Sequence, residues 1–320
     1  MNKLLLLLLS LSILSCGDNK SSDKKKDTNT STGINWISFK WIGGEQGGEY
    51  YDKLGMEVPL VINDSVKCYA QFDLGANTNM LYESTLEKHT QINRDFIIDT
   101  VDTEDYYYWL RNPNIKIGNK ISAVKDWIVR NDYDAEGVIG TIGAKEFSER
   151  ALIIDYVNNR LASLDSIPSE YAKNFDFFDF TIRNNKVILK VLINNQEYDV
   201  NFDTGSSITP LLVSNKILFD ELTDKSKGNY DLHKFHSWGT TYDTIPGAYS
   251  KDNFIINGKD FGKQIIYYLD SDYHRNLFIE DNIDGLLGSI LFFKSEILID
   301  FKNKKMGIEV ANIGNRCTSP

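Results

Sequence analysis

The sequence predicts an all-β protein built from two similar lobes, and three observations lead to this prediction. Short apolar or alternating runs recur after residue 33 and are rich in Val, Ile, Tyr and Phe, which favour strands. Turn signals containing Asn, Asp or Gly separate these runs. An internal repeat divides the chain into halves of comparable length, as expected for 320 residues, which is more than one core usually holds.

The individual elements follow from these runs. The clearest strands are predicted at residues 58–62, 115–117, 127–129, 187–193 and 254–256. Hairpin turns are predicted at Asn63-Asp64, Gly118-Asn119, Asn194-Asn195 and Asn257-Gly258. Helices are predicted only as brief segments, notably at residues 83–89 and 214–222. Residues 36–51 are expected to add a strand or a short cover before the first repeat.

The repeat is clearest at two acidic turns. An apolar lead ends in Asp73-Leu74-Gly75-Ala76 in the first half and in Asp203-Thr204-Gly205-Ser206 in the second. Farther on, Val138-Ile139-Gly140 in the first half is aligned with Leu286-Leu287-Gly288 in the second. We therefore expect a first lobe at residues 34–164, a connection at residues 165–185 and a second lobe at residues 186–311.

These motifs resemble those of a known enzyme family. An apolar lead into Asp-Thr-Gly-Ser resembles the active-site loop of aspartic peptidases, and two tandem copies resemble the bilobal pepsin-like and retropepsin-like arrangement. The elements that end in Gly140 and Gly288 resemble the family's second motif, whose strand lies behind the catalytic loop. The resemblance covers nearly all of the chain after Asn35, and it implies a pepsin-like fold of two β-barrel lobes with Asp73 and Asp203 as catalytic residues.

The residue types suit this chemistry. Glycine at Gly75 and Gly205 permits the tight turn and close backbone approach that hold each acid in place, while Gly140 and Gly288 let a neighbouring strand pass close behind. Two carboxylates a few ångströms apart share one proton, which provides one acid and one base. By resemblance, the base activates a water and the acid hydrogen-bonds the scissile carbonyl, so the expected activity is that of an aspartic endopeptidase.

The first loop departs from the family pattern. Leu74 stands where most family members have Thr or Ser, whose hydroxyl helps to tie the two loops together by hydrogen bonds. Leucine cannot make these bonds, although Asp-Leu-Gly-Ala does occur in some retroelement-type aspartic proteases. Both acids are retained, so an active endopeptidase is expected. The alternative is a catalytically inactive module that binds peptides or proteins at the cell envelope.

Hairpins that cover the substrate are expected between each acidic loop and its second motif. The candidates are residues 106–109 in the first half and residues 238–242 in the second. The family places an aromatic side chain at the tip of this hairpin, so Tyr108 or Trp238 could contact substrate. Packing of these aromatic residues in the core or on an edge strand is the alternative interpretation.

The N-terminal residues predict export. Residues 4–14 form an apolar run that suits a signal peptide, here residues 1–15, and is too short to span a bilayer by itself. Ile13-Leu14-Ser15-Cys16 resembles the lipobox of bacterial lipoproteins, which implies that Cys16 is acylated and anchors the protein to a membrane of the bacterial cell envelope. An ordinary cleaved signal with an incidental cysteine is the alternative. Residues 16–33 are expected to form a flexible tether, and residues 312–320 a tail.

Composition excludes several other functions. The net charge of −10 and the lack of a basic cluster argue against nucleic acid as a partner. The four histidines show no metal-site pattern beyond His233 and His236 at a spacing of three, and these two are expected in a solvated loop, not as a ligand pair. No serine-hydrolase or phosphate-binding motif occurs, so neither a metal nor another cofactor is expected. Cys68 and Cys317 could pair in an oxidising compartment, but the sequence does not establish that they meet. The expected partners are a peptide or protein substrate and the lipid bilayer.

Overall fold

The computed structural model describes residues 33–88, 97–99, 107–111, 113–130, 137–237 and 240–310. Residues 33–320 belong to one compact unit. The predicted signal peptide, Cys16 and the C-terminal tail lie outside the described residues. Within the described ranges, no helix is long and apolar enough to cross a membrane. Strands predominate, which confirms the predicted all-β class.

The first half contains thirteen strands and one short helix among its described residues. In chain order these are β1 (Ile37–Ser38), β2 (Lys40–Gln46), β3 (Glu49–Ile62), β4 (Val66–Phe72), β5 (Met80–Tyr82), α1 (Glu83–Lys88), β6 (Ile97–Asp99), β7 (Tyr107–Arg111), β8 (Ile115–Ile117), β9 (Lys120–Ile121), β10 (Asp126–Arg130), β11 (Gly140–Ile142), β12 (Ala151–Asp155) and β13 (Arg160–Leu164). A 3-10 helix spans Ala144–Phe147.

The rest of the chain repeats this series with variations. Its elements are α2 (Ser169–Ala172), β14 (Phe175–Asp179), β15 (Thr181–Arg183), β16 (Lys186–Ile193), β17 (Gln196–Asp203), β18 (Leu211–Val213), α3 (Lys216–Leu222), β19 (Leu232–Ser237), β20 (Thr240–Ile245), β21 (Gly247–Tyr249), β22 (Ile255–Ile256), β23 (Lys259–Asp260), β24 (Ile265–Tyr268), α4 (Asp272–Asp281), β25 (Gly285–Gly288), β26 (Glu296–Asp300) and β27 (Lys305–Glu309). Further 3-10 helices span Lys225–Lys227 and Ser289–Phe292.

Strand pairing follows the same pattern in both halves. In the first, β11 runs parallel to β4 and antiparallel to β5, while β10 runs parallel to β5. In the second, β25 runs parallel to β17 and antiparallel to β18, while β24 runs parallel to β18. The hairpins β3–β4 and β16–β17 also correspond, as do β12–β13 and β26–β27. Each acidic loop thus follows a strand at the same place in one of two large sheets.

A third sheet joins the halves. Its six strands lie in the order β1-β13-β12-β26-β27-β14, so that β12 of the first half pairs with β26 of the second. The segment expected as a connection, residues 165–185, contains two strands: β14 forms an edge of this sheet, and β15 pairs with β16. Phe175 and Phe177 of β14 belong to the apolar cluster beneath the shared sheet, which explains why this segment is ordered into a strand.

The predicted hairpin turns are confirmed. Asn63-Asp64, Asn194-Asn195 and Asn257-Gly258 all have positive φ at both central positions, and Gly118 has φ 61°. Type I′ turns need positive φ at both central residues, whereas Gly118-Asn119 has it at the first residue only, as in a type II′ turn. Asn, Asp and Gly tolerate this conformation best. The structure confirms the predicted helices as α1 and α3, which cover part of each predicted range. Helix α4 was not predicted, because its few apolar residues stand among charged ones.

Candidate active site

Asp73 and Asp203 lie at equivalent turns of the two halves. Asp73 follows β4 and Asp203 ends β17, each beside the parallel strand that supports the loop from behind. The backbone N–H of Asp73 donates to the carbonyl of Ile142 at 3.0 Å. The ladder between β17 and β25 pairs Asp203 with Gly288. Regular sheet structure therefore fixes the backbone from which both carboxylates project.

Each carboxylate accepts hydrogen bonds from its own loop. Asp73 Oδ1 accepts from the N–H groups of Gly75 at 2.8 Å and Ala76 at 3.3 Å. Asp203 Oδ1 accepts from the N–H groups of Gly205 at 2.8 Å and Ser206 at 3.2 Å. Two amides thus orient each acid.

The two carboxyl groups meet each other across the glycines. A Cβ added to Gly205 would lie 2.7 Å from Cγ of Asp73, and one added to Gly75 would collide in the same way with the carboxyl of Asp203. Only glycine allows such an approach at these two positions. The carboxyl of each acid thus lies against the glycine of the opposite loop. The sequence-predicted pair is therefore brought together as one unit.

The pair has the electrostatics of a shared proton. Desolvation is the main reason that the pKa of Asp203 is raised well above its usual value, followed by the negative charge of Asp73 and the hydrogen bond to it. The amides of Gly205 and Ser206 oppose this shift without cancelling it. Asp203 therefore holds its proton at a pH at which an exposed carboxyl would be ionised.

A single hydroxyl ties the two loops together. Thr204 Oγ1 accepts from the N–H of Leu74 at 2.9 Å and donates to the carbonyl of Phe72 at 3.2 Å. Thr204 and Leu74 are both fully buried. The side chain of Leu74 cannot return these bonds and instead packs in the main hydrophobic cluster. The side chain of the second loop therefore bonds to the backbone of the first, and the side chain of Leu74 makes no such bond in return.

The loops differ again two residues later. Ser206 Oγ hydrogen-bonds to the hydroxyl of Thr209, within the turn that follows Asp203. The equivalent Ala76 has no hydroxyl. In the first half, the turn is secured by Asn79, whose Oδ1 accepts from the N–H of Gly143 at 2.9 Å and whose amide donates to Glu146 at 2.8 Å. Different side chains thus stabilise similar backbone turns.

The strand behind the first loop corrects the sequence alignment by three residues. A Cβ on Gly288 would collide with the carbonyls of Ser206 and Thr209 in the acidic loop. In the first half, the residue in that position is Gly143, whose Cβ would meet the carbonyls of Ala76 and Thr78. Gly140 instead passes close to the backbone of β5 and corresponds to Gly285.

Gly143 is thus the residue that sequence reasoning missed. Its signal was present in Thr141-Ile142-Gly143, but the preceding Val138-Ile139-Gly140 gave a more apolar match to Leu286-Leu287-Gly288. Strand register distinguishes the two choices, because Phe72 pairs with Ile142 just as Phe202 pairs with Leu287. Gly143 and Gly288 also both precede a 3-10 helix.

An open cleft lies over the acid pair. Its walls come from both halves, and the residues that line it are Gln46, Leu54, Gln71, Asp73, Met80, Tyr82, Arg130, Thr141, Asp203, Gly205, Ser206, Ser207, Ile208, Thr209, Leu212, Phe235, His236, Ser237 and Leu286. Most are polar or aliphatic side chains of strands and loops next to the acids. An elongated ligand that lies across the pair would contact both halves of the molecule.

The hairpin β19–β20 forms one wall of this cleft. It brings Phe235, His236 and Ser237 to the lining. Residues 240–242 of the predicted covering hairpin belong to its second strand, β20. Trp238 itself lies outside the described residues, as does Tyr106 of the other candidate, while Tyr108 belongs to β7. Both candidate segments thus fall in or beside hairpins.

A buried histidine supports this wall from behind. His274 of α4 is hydrogen-bonded at both ring nitrogens. Ser237 Oγ lies 3.1 Å from Nε2, and Ser271 Oγ lies 3.0 Å from Nδ1. Tyr242 donates to the same Ser271 hydroxyl at 3.1 Å. Burial lowers the pKa of His274 to about 4, so the ring is neutral at ordinary pH. The network connects α4 to both strands of the hairpin.

The described residues contain no group of three or more His, Cys, Asp or Glu side chains placed to hold a metal ion. Cys68 is a free thiol, and burial raises its pKa to about 11. Cys317 lies outside the described residues. Among the described residues that line the cleft, the acidic side chains are those of Asp73 and Asp203.

Comparison with known proteins gives no closer identification. No protein-family model matches the sequence, and no curated protein is significantly similar to it. The geometry of the site is therefore the main guide to its function.

Proposed function

We propose that this chain is an aspartic endopeptidase of the bilobal pepsin-like type, with Asp73 and Asp203 as its catalytic pair. The observation that carries the proposal is the close approach of two carboxyl groups on equivalent loops, each against the glycine of the opposite loop, where both line an open cleft. The repeated strand pairing and the sheet shared by the two halves are consistent with that fold.

The raised pKa of Asp203 supports a pair that shares one proton. The protonated carboxyl of the pair hydrogen-bonds the scissile carbonyl oxygen, while the ionised carboxyl accepts a proton from the attacking water. The water oxygen then bonds to the carbonyl carbon while the protonated carboxyl gives its proton to the carbonyl oxygen, and a tetrahedral diol forms. Transfer of a proton from the pair to the amide nitrogen lets the C–N bond break while one diol hydroxyl returns its proton to the pair, which yields a carboxylic acid and an amine. Atoms balance with water as the only co-reactant.

The cellular setting is part of the same proposal. A signal peptide at residues 1–15 and an acylated Cys16 would place the enzyme on a membrane of a bacterial cell envelope, at the end of the tether formed by residues 16–33. Mass spectrometry of the protein from membranes would detect lipid on the peptide that begins at Cys16. A Cys16→Ser variant that stays in the membrane fraction would contradict this part.

The activity test uses residues 33–320, which belong to one compact unit. Reduced, carboxymethylated lysozyme serves as the unfolded substrate from about pH 3 to pH 8, a range that spans plausible titrations of the pair. We expect cleavage by the wild type, inhibition by pepstatin, and loss of at least about 1,000-fold in kcat in Asp73→Asn and Asp203→Asn. Glu197→Gln, an exposed change on β17, is the matched control and should leave the rate unchanged.

Leu74 favours a second candidate function, a peptide- or protein-binding module without turnover. Absence of cleavage at every pH by a folded wild type would support that candidate over the peptidase. Full activity in Asp73→Asn would contradict the assigned pair.

A further inference from the structure

Before the acidic loops, the two halves differ most in the length of one hairpin, which is β2–β3 in the first half. Its counterpart in the second half is β15–β16, and both end in two-residue turns with positive φ, Gly47-Gly48 and Asn184-Asn185. Strand β3 has 14 residues, whereas β16 has 8. The first half therefore carries an extension of this hairpin that the second half lacks.

The extension reaches the second half. Tyr51 of β3 packs against the apolar cluster that contains Leu212, Leu232 and Tyr267. At the turn, Gly47 lies so close to His233 of β19 that an added Cβ would collide with its side chain. These contacts hold the tip of the hairpin beside the cleft wall formed by β19.

Two side chains of the extension face the cleft. Gln46, the last residue of β2, and Leu54 of β3 both line it. Oε1 of Gln46 is shielded from solvent and has no hydrogen-bond partner among the described residues. An unpaired buried amide oxygen is costly, so this arrangement is unfavourable until a ligand supplies a donor.

We propose that the β2–β3 hairpin is a substrate-binding element and that Gln46 is the residue through which it binds the substrate main chain. A primary amide offers one acceptor and two donors, so it can pair with the N–H and C=O groups of an extended peptide, which occur in every sequence. Rotation about its terminal side-chain bond, which is a soft torsion, would turn Oε1 toward the cleft. Gln46 thereby positions the peptide without selecting side chains, and Leu54 adds an apolar contact.

This inference rests on the proposed peptide ligand, but it does not depend on turnover. Gln46 lies 27 residues before Asp73 and plays no part in the proton transfers. Its removal should therefore weaken binding of the substrate and leave the chemical step intact, which appears as a raised KM with little change in kcat.

The first experiment compares Gln46→Leu with the matched control Gln196→Leu, which changes an exposed glutamine at the start of β17. With carboxymethylated lysozyme as substrate, we expect Gln46→Leu to raise KM by about 3- to 10-fold, the effect of one hydrogen bond, and to change kcat by less than about 2-fold. Its melting temperature should equal or exceed that of the wild type, since an unpaired amide is lost. An unchanged KM would overturn the inference and leave the peptidase proposal standing.

The second experiment separates binding from catalysis. Titration calorimetry measures binding of carboxymethylated lysozyme to Asp73→Asn, with and without Gln46→Leu. A Kd weakened by about 3- to 10-fold in the double variant supports the inference even if the wild type cleaves nothing. Equal affinities, or no binding by either protein, would overturn it.

Discussion

The two acidic loops have the same backbone and different supports. Asp203-Thr204-Gly205-Ser206 carries two hydroxyls, and Thr204 uses its own to bind the N–H of Leu74 and the carbonyl of Phe72. Asp73-Leu74-Gly75-Ala76 carries none, and Leu74 contributes apolar packing instead. Two acids at equivalent positions can therefore be fixed by unlike loops, because one loop forms hydrogen bonds to the other and the other packs a side chain in the hydrophobic core.

Among changes that keep both acids, the largest expected effect comes from the glycines that the two loops share. In Gly75→Ala and Gly205→Ala, the new methyl group would collide with the carboxyl of the opposite loop, so the pair must separate. We expect either change to reduce kcat at least about 100-fold, because displacement of a reacting group by about 1 Å has that cost. Cleavage assays measure this, with the exposed change Glu197→Gln as the control. Near-normal activity in both variants would mean that the carboxyl groups do not act as a contacting pair.

The second prediction addresses the one-sided tie. Thr204→Val keeps the shape of the side chain but leaves the buried N–H of Leu74 unpaired, and we expect it to lower the free energy of unfolding by about 1–3 kcal/mol. Thr204→Ser should retain most of the stability. Thr78→Val is a matched control, because the buried Thr78 hydroxyl has no partner among the described residues. Urea denaturation of all three variants measures these changes. Equal losses of unfolding free energy in Thr204→Val and Thr78→Val would contradict a stabilising hydrogen bond between the loops.

The third prediction concerns how the protonation of Asp203 makes stability depend on pH. Because the pKa of Asp203 is raised in the folded protein, the folded state binds an extra proton above pH 3.8, the usual value for Asp. The stabilisation from this proton is complete below that pH and is lost as pH rises through the raised pKa. Asp203→Asn should therefore flatten the fall in melting temperature with rising pH over this range. An identical slope in wild type and variant would show that Asp203 titrates as an exposed acid does.

Local patterns were enough to predict much of the fold. Strand β8 has the predicted bounds, Ile115–Ile117, and the turns at Asn63-Asp64 and Asn194-Asn195 have the predicted conformation. These features depend on a few neighbouring residues, whose φ preferences and alternation are visible in the sequence. The acid pair was predictable for a related reason, because the repeat of Asp73 and Asp203 is itself a sequence signal.

Features that depend on distant contacts could not be predicted in this way. Gly143 corresponds to Gly288 through strand register, and the more apolar Val138-Ile139-Gly140 concealed it. Gln46 enters the cleft only because a long hairpin reaches across to the second half. Helix α4 is stabilised by contacts of His274 and Phe278 with the core more than by its own amphipathic pattern. Sequence periodicity reports local structure and does not encode such long-range packing.

The smallest expected effect is that of making the loops alike. Leu74→Thr would place a hydroxyl opposite Thr204, where the symmetry of the loops offers it the N–H of Thr204 and the carbonyl of Phe202. The same change removes buried apolar atoms from the main cluster, where Leu74 is fully buried. The new bonds and the lost packing are of similar size, so the free energy of unfolding should change by no more than about 1 kcal/mol.

The double variant Leu74→Thr/Thr204→Val tests whether the hydroxyl that joins the loops can stand on either of them. If the loops are interchangeable, the hydroxyl introduced by Leu74→Thr should recover part of the stability that Thr204→Val loses, because one tie between the loops would be restored from the opposite side. We expect the double variant to be more stable than Thr204→Val alone, measured by urea denaturation in a double-mutant cycle. Additive losses would instead mean that the first loop has been shaped around leucine and can no longer accept the reciprocal bond.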